Sequence, residues 1–165
     1  MVGISSYGAY IPLHRLGKET KGWTGPGERS VANYDEDSLT MGVAAGLNSL
    51  AGVDRNTIDA LYFATTCSPF HEKQAATTMA VTTDLRPGVY ASDFTNSLRA
   101  GTIALQSAVD AVKAGSAKRV LVIASDMRLV QTGSPFEPFV GDGCSGVFVE
   151  DSPEVAVSIE DHYGL

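Results

Sequence analysis

Cysteine is scarce in this chain: Cys67 and Cys144 are the only two among 165 residues. Their separation fits neither a CxxC pair nor a zinc-ligand spacing, so a zinc site or a disulfide framework is not indicated, and both read as small buried residues. Cations are also few. Twelve Lys and Arg stand against 19 Asp and Glu, for a net charge of −7, and no basic run occurs. That balance argues against a nucleic-acid or anionic-membrane surface. No apolar run approaches the roughly 18 residues a membrane helix needs, and the N-terminus lacks a basic region followed by an apolar one. The expectation is a soluble, cytoplasmic protein with neither nucleic acid nor membrane as partner. Internal repeats and low-complexity tracts are missing too. Gly141, Gly143 and Gly146 are not followed by Lys-Ser or Lys-Thr, which excludes a phosphate loop.

What the chain does have is apolar residues, 44% of the total against 19% charged, enough for one well-buried domain over residues 1–165. Its organising stretch is DFTNSLRAGTIALQSAVDAV, Asp93 to Val112. A small-residue turn runs into a segment with apolar residues on nearly every side of a helical wheel, which predicts a helix buried all round. Ser97 would stand at its start, where unpaired N–H groups and the helix dipole favour developing negative charge. Two roles stay open there: a nucleophile or oxyanion position, and a plain helix cap supplied by Ser97 or Asn96.

Along the rest of the chain, Val2–Ile11 reads as a strand ended by Pro12, and Pro12–Asn33 as an irregular loop. Within that loop Trp23, flanked by Lys18, Lys21 and Arg29, offers a stacking face and cations for the adenosine phosphates of coenzyme A; the alternative is a solvated loop with Trp23 packed on a surface. Asp35 or Asp37 caps an amphipathic surface helix carrying Leu39, Val43, Leu47 and Leu50. Ile58–Thr65 reads as a buried strand whose end, Thr65 to Ser68, is where open α/β sheets place ligands. Pro69–Leu85 is helical, Gly88–Ala91 a brief strand, and Arg119–Ala124 the strongest strand, ending in Ser125-Asp126. GDGCSGVFVE enters a further strand, and Val155–Ile159 is expected to pair with it as an antiparallel hairpin.

The β-α-β-α-β-α-β-β order predicts a five-stranded, mostly parallel α/β sheet with one antiparallel strand and helices on both faces. Three stretches give it a family. ERSVANYDEDSLTMGVAAG (28–46), DFTNSLRAGTIALQSAVDAVKAGSAKRVLVIASDMR (93–128) and GDGCSG (141–146) resemble the thiolase superfamily, in particular archaeal-type hydroxymethylglutaryl-CoA synthase and β-ketoacyl synthase III. The resemblance covers essentially the whole chain but only half of such an enzyme, its N-terminal half.

That resemblance implies an acyltransferase that binds acyl-CoA as substrate, needs no further cofactor, and makes or breaks a carbon–carbon bond by Claisen-type chemistry. The family's nucleophilic cysteine is matched here by Ser97, and its general acid/base glutamate by Thr66, which is closer to the β-ketoacyl synthases at that point. The catalytic His and the His or Asn that stabilises the oxyanion belong to the other half. His14, His71 and His162 match no family motif. The resemblance thus implies one of two things: a condensing component completed by a partner half, or a catalytically silent thiolase-fold subunit that supports an active partner. In either case a hetero-oligomer containing a homodimer is implied. Ser97 and Thr66 are the candidate catalytic positions, and Trp23, Lys21, Arg29, Gly141 and Gly143 the candidate substrate contacts.

Overall fold

The structure, a computed structural model, describes residues 1–162. Its centre is a six-stranded sheet in the order β5-β4-β6-β7-β1-β8. The strands are β1 (Val2–Tyr10), β4 (Ala60–Ala64), β5 (Tyr90–Phe94), β6 (Arg119–Asp126), β7 (Gly143–Asp151) and β8 (Val157–Ser158). β4 runs parallel to both β5 and β6, whereas β7 is antiparallel to β6 and β1. The five main strands and the single antiparallel one among them are as expected; β8 adds a short sixth.

Period-two alternation distributes the sheet residues between two layers. Leu61, Phe63, Leu121, Ile123 and Phe148 face a core completed by α1 (Ser38–Ser49) and α2 (Ala75–Thr82). Ala60, Tyr62, Ala64, Val120, Val122 and Val149 face α3 (Ala100–Lys113) on the other side. Both faces of β4 and β6 are therefore covered, which is why these strands read as continuous aliphatic runs.

Five expectations need correction. Val155–Ile159 does not form a hairpin with β7, because β6 and β1 already occupy both of its edges; β8 adds instead to the free edge of β1, with Gly3 opposite Ser158. The Pro12–Asn33 loop is not irregular throughout, since β2 (His14–Leu16) and β3 (Arg29–Val31) pair antiparallel within it. The helix α1 is capped by Asp37 in a capping box with Thr40, but the face it sets on the sheet is made of Ser38, Met41, Gly42, Ala45, Gly46 and Ser49; of the expected stripe Leu50 is buried, Leu39 and Val43 are half-buried against the core, and Leu47 is 41% exposed. A tight approach selects those small residues. A Cβ on Gly8 would lie 2.5 Å from the Ser49 nitrogen, and one on Gly146, the partner of Gly8 across the ladder, 2.4 Å from Ser49 Oγ.

Asp93 belongs to β5 rather than to the turn before α3, and its carboxylate caps α2, accepting the Ala75 and Ala76 N–H groups at 2.7 Å each. The helix α3, finally, is not buried all round. Ala100, Ala104, Ala108, Val109 and Val112 are buried against the sheet, while Ile103 is 46% exposed and Leu98, in the turn just before the helix, 84%. The other two helices lie across the sheet, so nothing in the described residues covers that outer side.

Asp59, just before β4, ties three segments together. It accepts the Lys118 and Arg119 N–H groups at 2.7 and 3.2 Å and the Arg86 guanidinium at 3.0 Å. The Lys118 N–H foremost, then that of Arg119 and the Arg86 side chain, hold its carboxyl below the usual range. The stability it contributes is present above the unfolded carboxyl pKa of about 3.9 and lost as pH falls through the lower folded value. Urea midpoints measured across the acid range should fall less steeply in Asp59→Asn than in the wild type. At neutral pH, Gly8→Ala should lower stability by about 1–3 kcal/mol through overpacking against α1, read from the same midpoints.

Candidate functional site

The carboxyl ends of the parallel strands, the start of β7 and the N-terminus of α3 meet around a cavity of about 240 Å³. Ser97, Thr66, Ser125, Asp126, Gly101 and Gly143 are among its lining residues. Such a position, outside the carboxyl ends of parallel strands, is where open α/β sheets place ligands.

Ser97 and Thr66 are thus brought together, with Gly143. Ser97 does not begin the helix, because α3 starts at Ala100 with Arg99 as its N-cap. Asn96 adopts a left-handed φ of 65°, and Ser97 Oγ accepts the Arg99 N–H at 3.1 Å while its carbonyl accepts the Ala100 N–H at 3.0 Å. It shapes the turn into the helix. No side chain caps α3, and although the Ala100 N–H is taken by the Ser97 carbonyl, the Gly101 N–H retains its capacity for an anion.

Thr66 lies in a network that its sequence position alone does not predict. Asp126 Oδ1 accepts from Thr65 Oγ1 at 2.9 Å, from the Thr66 N–H at 2.6 Å and from Thr66 Oγ1 at 3.1 Å. The Arg128 guanidinium donates to Thr66 Oγ1. A donor on that hydroxyl oxygen leaves its own proton for Asp126. The signal was present in the run RVLVIASD: counting alternate residues from Val120 and Val122, which face α3, brings Ala124 and Asp126 to the same side.

The two glycines of the GDG turn separate. Gly143 lines the cavity, while Gly141 is turned to the β3 strand, where an added Cβ would lie 3.1 Å from Ser30 Oγ. Between them the buried Asp142 fastens two loops, accepting the Ala32 and Arg128 N–H groups at 2.8 and 2.7 Å. Trp23, Lys21 and Arg29 do not line this cavity. The Trp23 indole N–H donates to the Gly27 carbonyl at 2.9 Å, Lys21 is exposed, and Arg29 is buried with its guanidinium 3.4 Å from the Glu137 carbonyl. Burial removes Arg29 from the loop surface on which a phosphate contact was expected.

Neither thiol enters the cavity. Cys144 faces α1, its Sγ 2.7 Å from the Met41 carbonyl, and burial pushes its pKa up to about 11. Cys67 lines neighbouring depressions, one of them with His71 and Lys73. Iodoacetamide near neutral pH should therefore modify Cys67 and spare Cys144 in the folded protein, with both modified after denaturation; peptide mass spectrometry checks this.

No protein-family model matches the chain. Among curated proteins it is 38% identical to hydroxymethylglutaryl-CoA synthase of Thermococcus sibiricus, over 82% of this chain and 41% of that protein. It is 34% identical to hydroxymethylglutaryl-CoA synthase of Pyrococcus furiosus, over 98% of this chain and 49% of that protein. Among solved structures, the priming β-ketosynthase of the R1128 polyketide pathway superposes with a TM-score of 0.80 at 26% identity, over 93% of this chain and 51% of that one. The chain spans about half the length of the curated relatives it matches. With the sheet order and helix placement described above, these likenesses make the chain a member of the thiolase superfamily, corresponding to the N-terminal half of the hydroxymethylglutaryl-CoA synthases.

Proposed function

We propose that this chain is the acyl-CoA-binding component of a hydroxymethylglutaryl-CoA synthase-like acyltransferase, acting in Claisen-type carbon–carbon bond formation or cleavage with a partner half that supplies His and Asn. The observation that carries this reading is the cavity in which Ser97, Thr66 and Gly143 meet the uncapped start of α3. A thioester carbonyl placed against those N–H groups gains stabilisation as its oxygen becomes negative. The relatives' names supply the substrate class, an acyl-CoA.

The partner is supported by the outer side of α3. A depression of about 680 Å³ runs along it, walled by Leu98, Ile103, Leu105 and Ile159 with Asp161 and His162 at one end. Leu98 lines both this depression and the smaller cavity, so one partner would cover the two together. A second contact, between copies of this chain, is supported by β5, one of the two edge strands, on which Tyr90 is 63% exposed. The assembly would be a hetero-oligomer containing a homodimer.

Ser97 would orient the thioester rather than attack it, since a hydroxyl without an adjacent base is a weak nucleophile. The absence of a thiol from the cavity favours a second reading, a catalytically silent subunit that supports an active partner. The two part on one substitution. In the assembled complex, Ser97→Ala should lower turnover of acyl-CoA by roughly tenfold or more if the residue orients substrate, and leave it nearly unchanged if the subunit is silent. Sedimentation of the purified chain should show a dimer or larger; a well-folded monomer at micromolar concentration would refute the proposed assembly.

A further inference from the structure

We propose that Asp126 is the acid–base group of this cavity, with Oδ2 as the atom that takes and returns a proton at the carbon next to a thioester carbonyl. The inference rests on the acyl-CoA reading above and adds to it the residue and the step. Three donors, Thr65 Oγ1, the Thr66 N–H and Thr66 Oγ1, all fall on Oδ1. Among the described residues, no hydrogen bond reaches Oδ2, on a side chain that lines the cavity. Asp126 is the only carboxylate among the described lining residues, and Ser97 and Thr66 are hydroxyls. At neutral pH a hydroxyl is a far poorer proton acceptor than a carboxylate.

The geometry holds the acceptor still. Asp126 is fixed by the end of β4 through Thr65 and Thr66, and Thr66 is fixed in turn by Arg128 from the segment after β6. In the step, the C–H bond of the α-carbon breaks and its proton forms an O–H bond at Oδ2. The electron pair left behind makes the carbon–carbon double bond of an enolate, and the carbonyl pair moves onto the thioester oxygen. That oxygen would face the uncapped N–H groups at Gly101 and the first turn of α3. The carboxylic acid then returns a proton, so no electrons enter or leave and no co-reactant is consumed.

Deuterium exchange into the methyl group of acetyl-CoA, followed by proton NMR in D2O on the chain assembled with its partner, tests the step directly. Asp126→Asn keeps an oxygen for the three donors, so its melting temperature and acetyl-CoA affinity should stay close to wild type while exchange falls by about 100-fold or more. Asp126→Ala supplied with formate should recover part of the lost exchange, which a merely structural aspartate would not allow. Exchange in Asp126→Asn within about threefold of wild type overturns the proposal. So does a wild-type complex that binds acetyl-CoA without exchanging it. A wild-type complex that binds no acyl-CoA refutes the underlying reading, and the proposal with it.

Discussion

Burial of both faces of the β4–β6 pair is the constraint on which the rest of the molecule depends. The two strands pair in parallel with Ala64 opposite Ala124, and each sends alternate side chains to the α1/α2 layer and to the α3 layer. A slip of one residue would exchange the two sets and expose polar strand ends to the wrong core, so the register is held by the whole apolar content of both layers. The same alternation decides the chemistry at the strand ends. Asp126 stays on the α3 side and enters the cavity, while Ser125 and its cross-ladder partner Cys144 belong to the opposite phase.

The layer of α1 shows how a close approach can outweigh an apolar pattern. Of Leu39, Val43, Leu47 and Leu50, which recur at helical spacing, only Leu50 is fully buried, and the small residues of the helix meet the β1–β7 ladder because no room is left for larger side chains between Ser49 and Gly8 and Gly146. Spacing alone carries no information about how closely two elements approach. Other features of the fold are local and were legible: the β4 and β6 runs, the Asp37 cap and the mostly parallel sheet with its antiparallel member. Those that were not legible depend on distant partners. The edge taken by β8, the capping of α2 by Asp93 and the uncovered side of α3 are each fixed by elements far away in the chain.

The site divides along the same line. Ser97, Thr66 and Gly143 lie at element ends, and any fold that stacks β4, β6 and α3 in this order brings such ends together. Trp23, Lys21 and Arg29 stand out in the sequence only by residue type within a loop, and nothing local displays the β2–β3 pairing that draws Arg29 inward. In the sequence, Asp126 shows only as the polar end of a strand. Its place in the cavity is a property of register, and its hydrogen bonds are a property of the β4 end lying alongside, which a single stretch of sequence does not display.

In the proposed assembly, the continuity between the cavity and the outer side of α3 would couple binding to chemistry. Leu98 belongs to both surfaces, at 84% exposure, so the proposed partner, seated on α3, would alter the mouth of the cavity. Closing that mouth excludes water, and in the lower effective dielectric that results, a carboxylate, the helix N–H groups and a thioester oxygen interact more strongly than they do in the open chain. A site equipped with hydroxyls and a carboxylate gains more from this closure than one built on a thiolate, because it depends on electrostatic stabilisation and proton movement rather than on a nucleophile already activated at a helix start. On the proposed reading, the large exposed side chain at the cavity mouth and the small polar groups within it would be two parts of one arrangement, in which assembly and acid–base chemistry share a boundary.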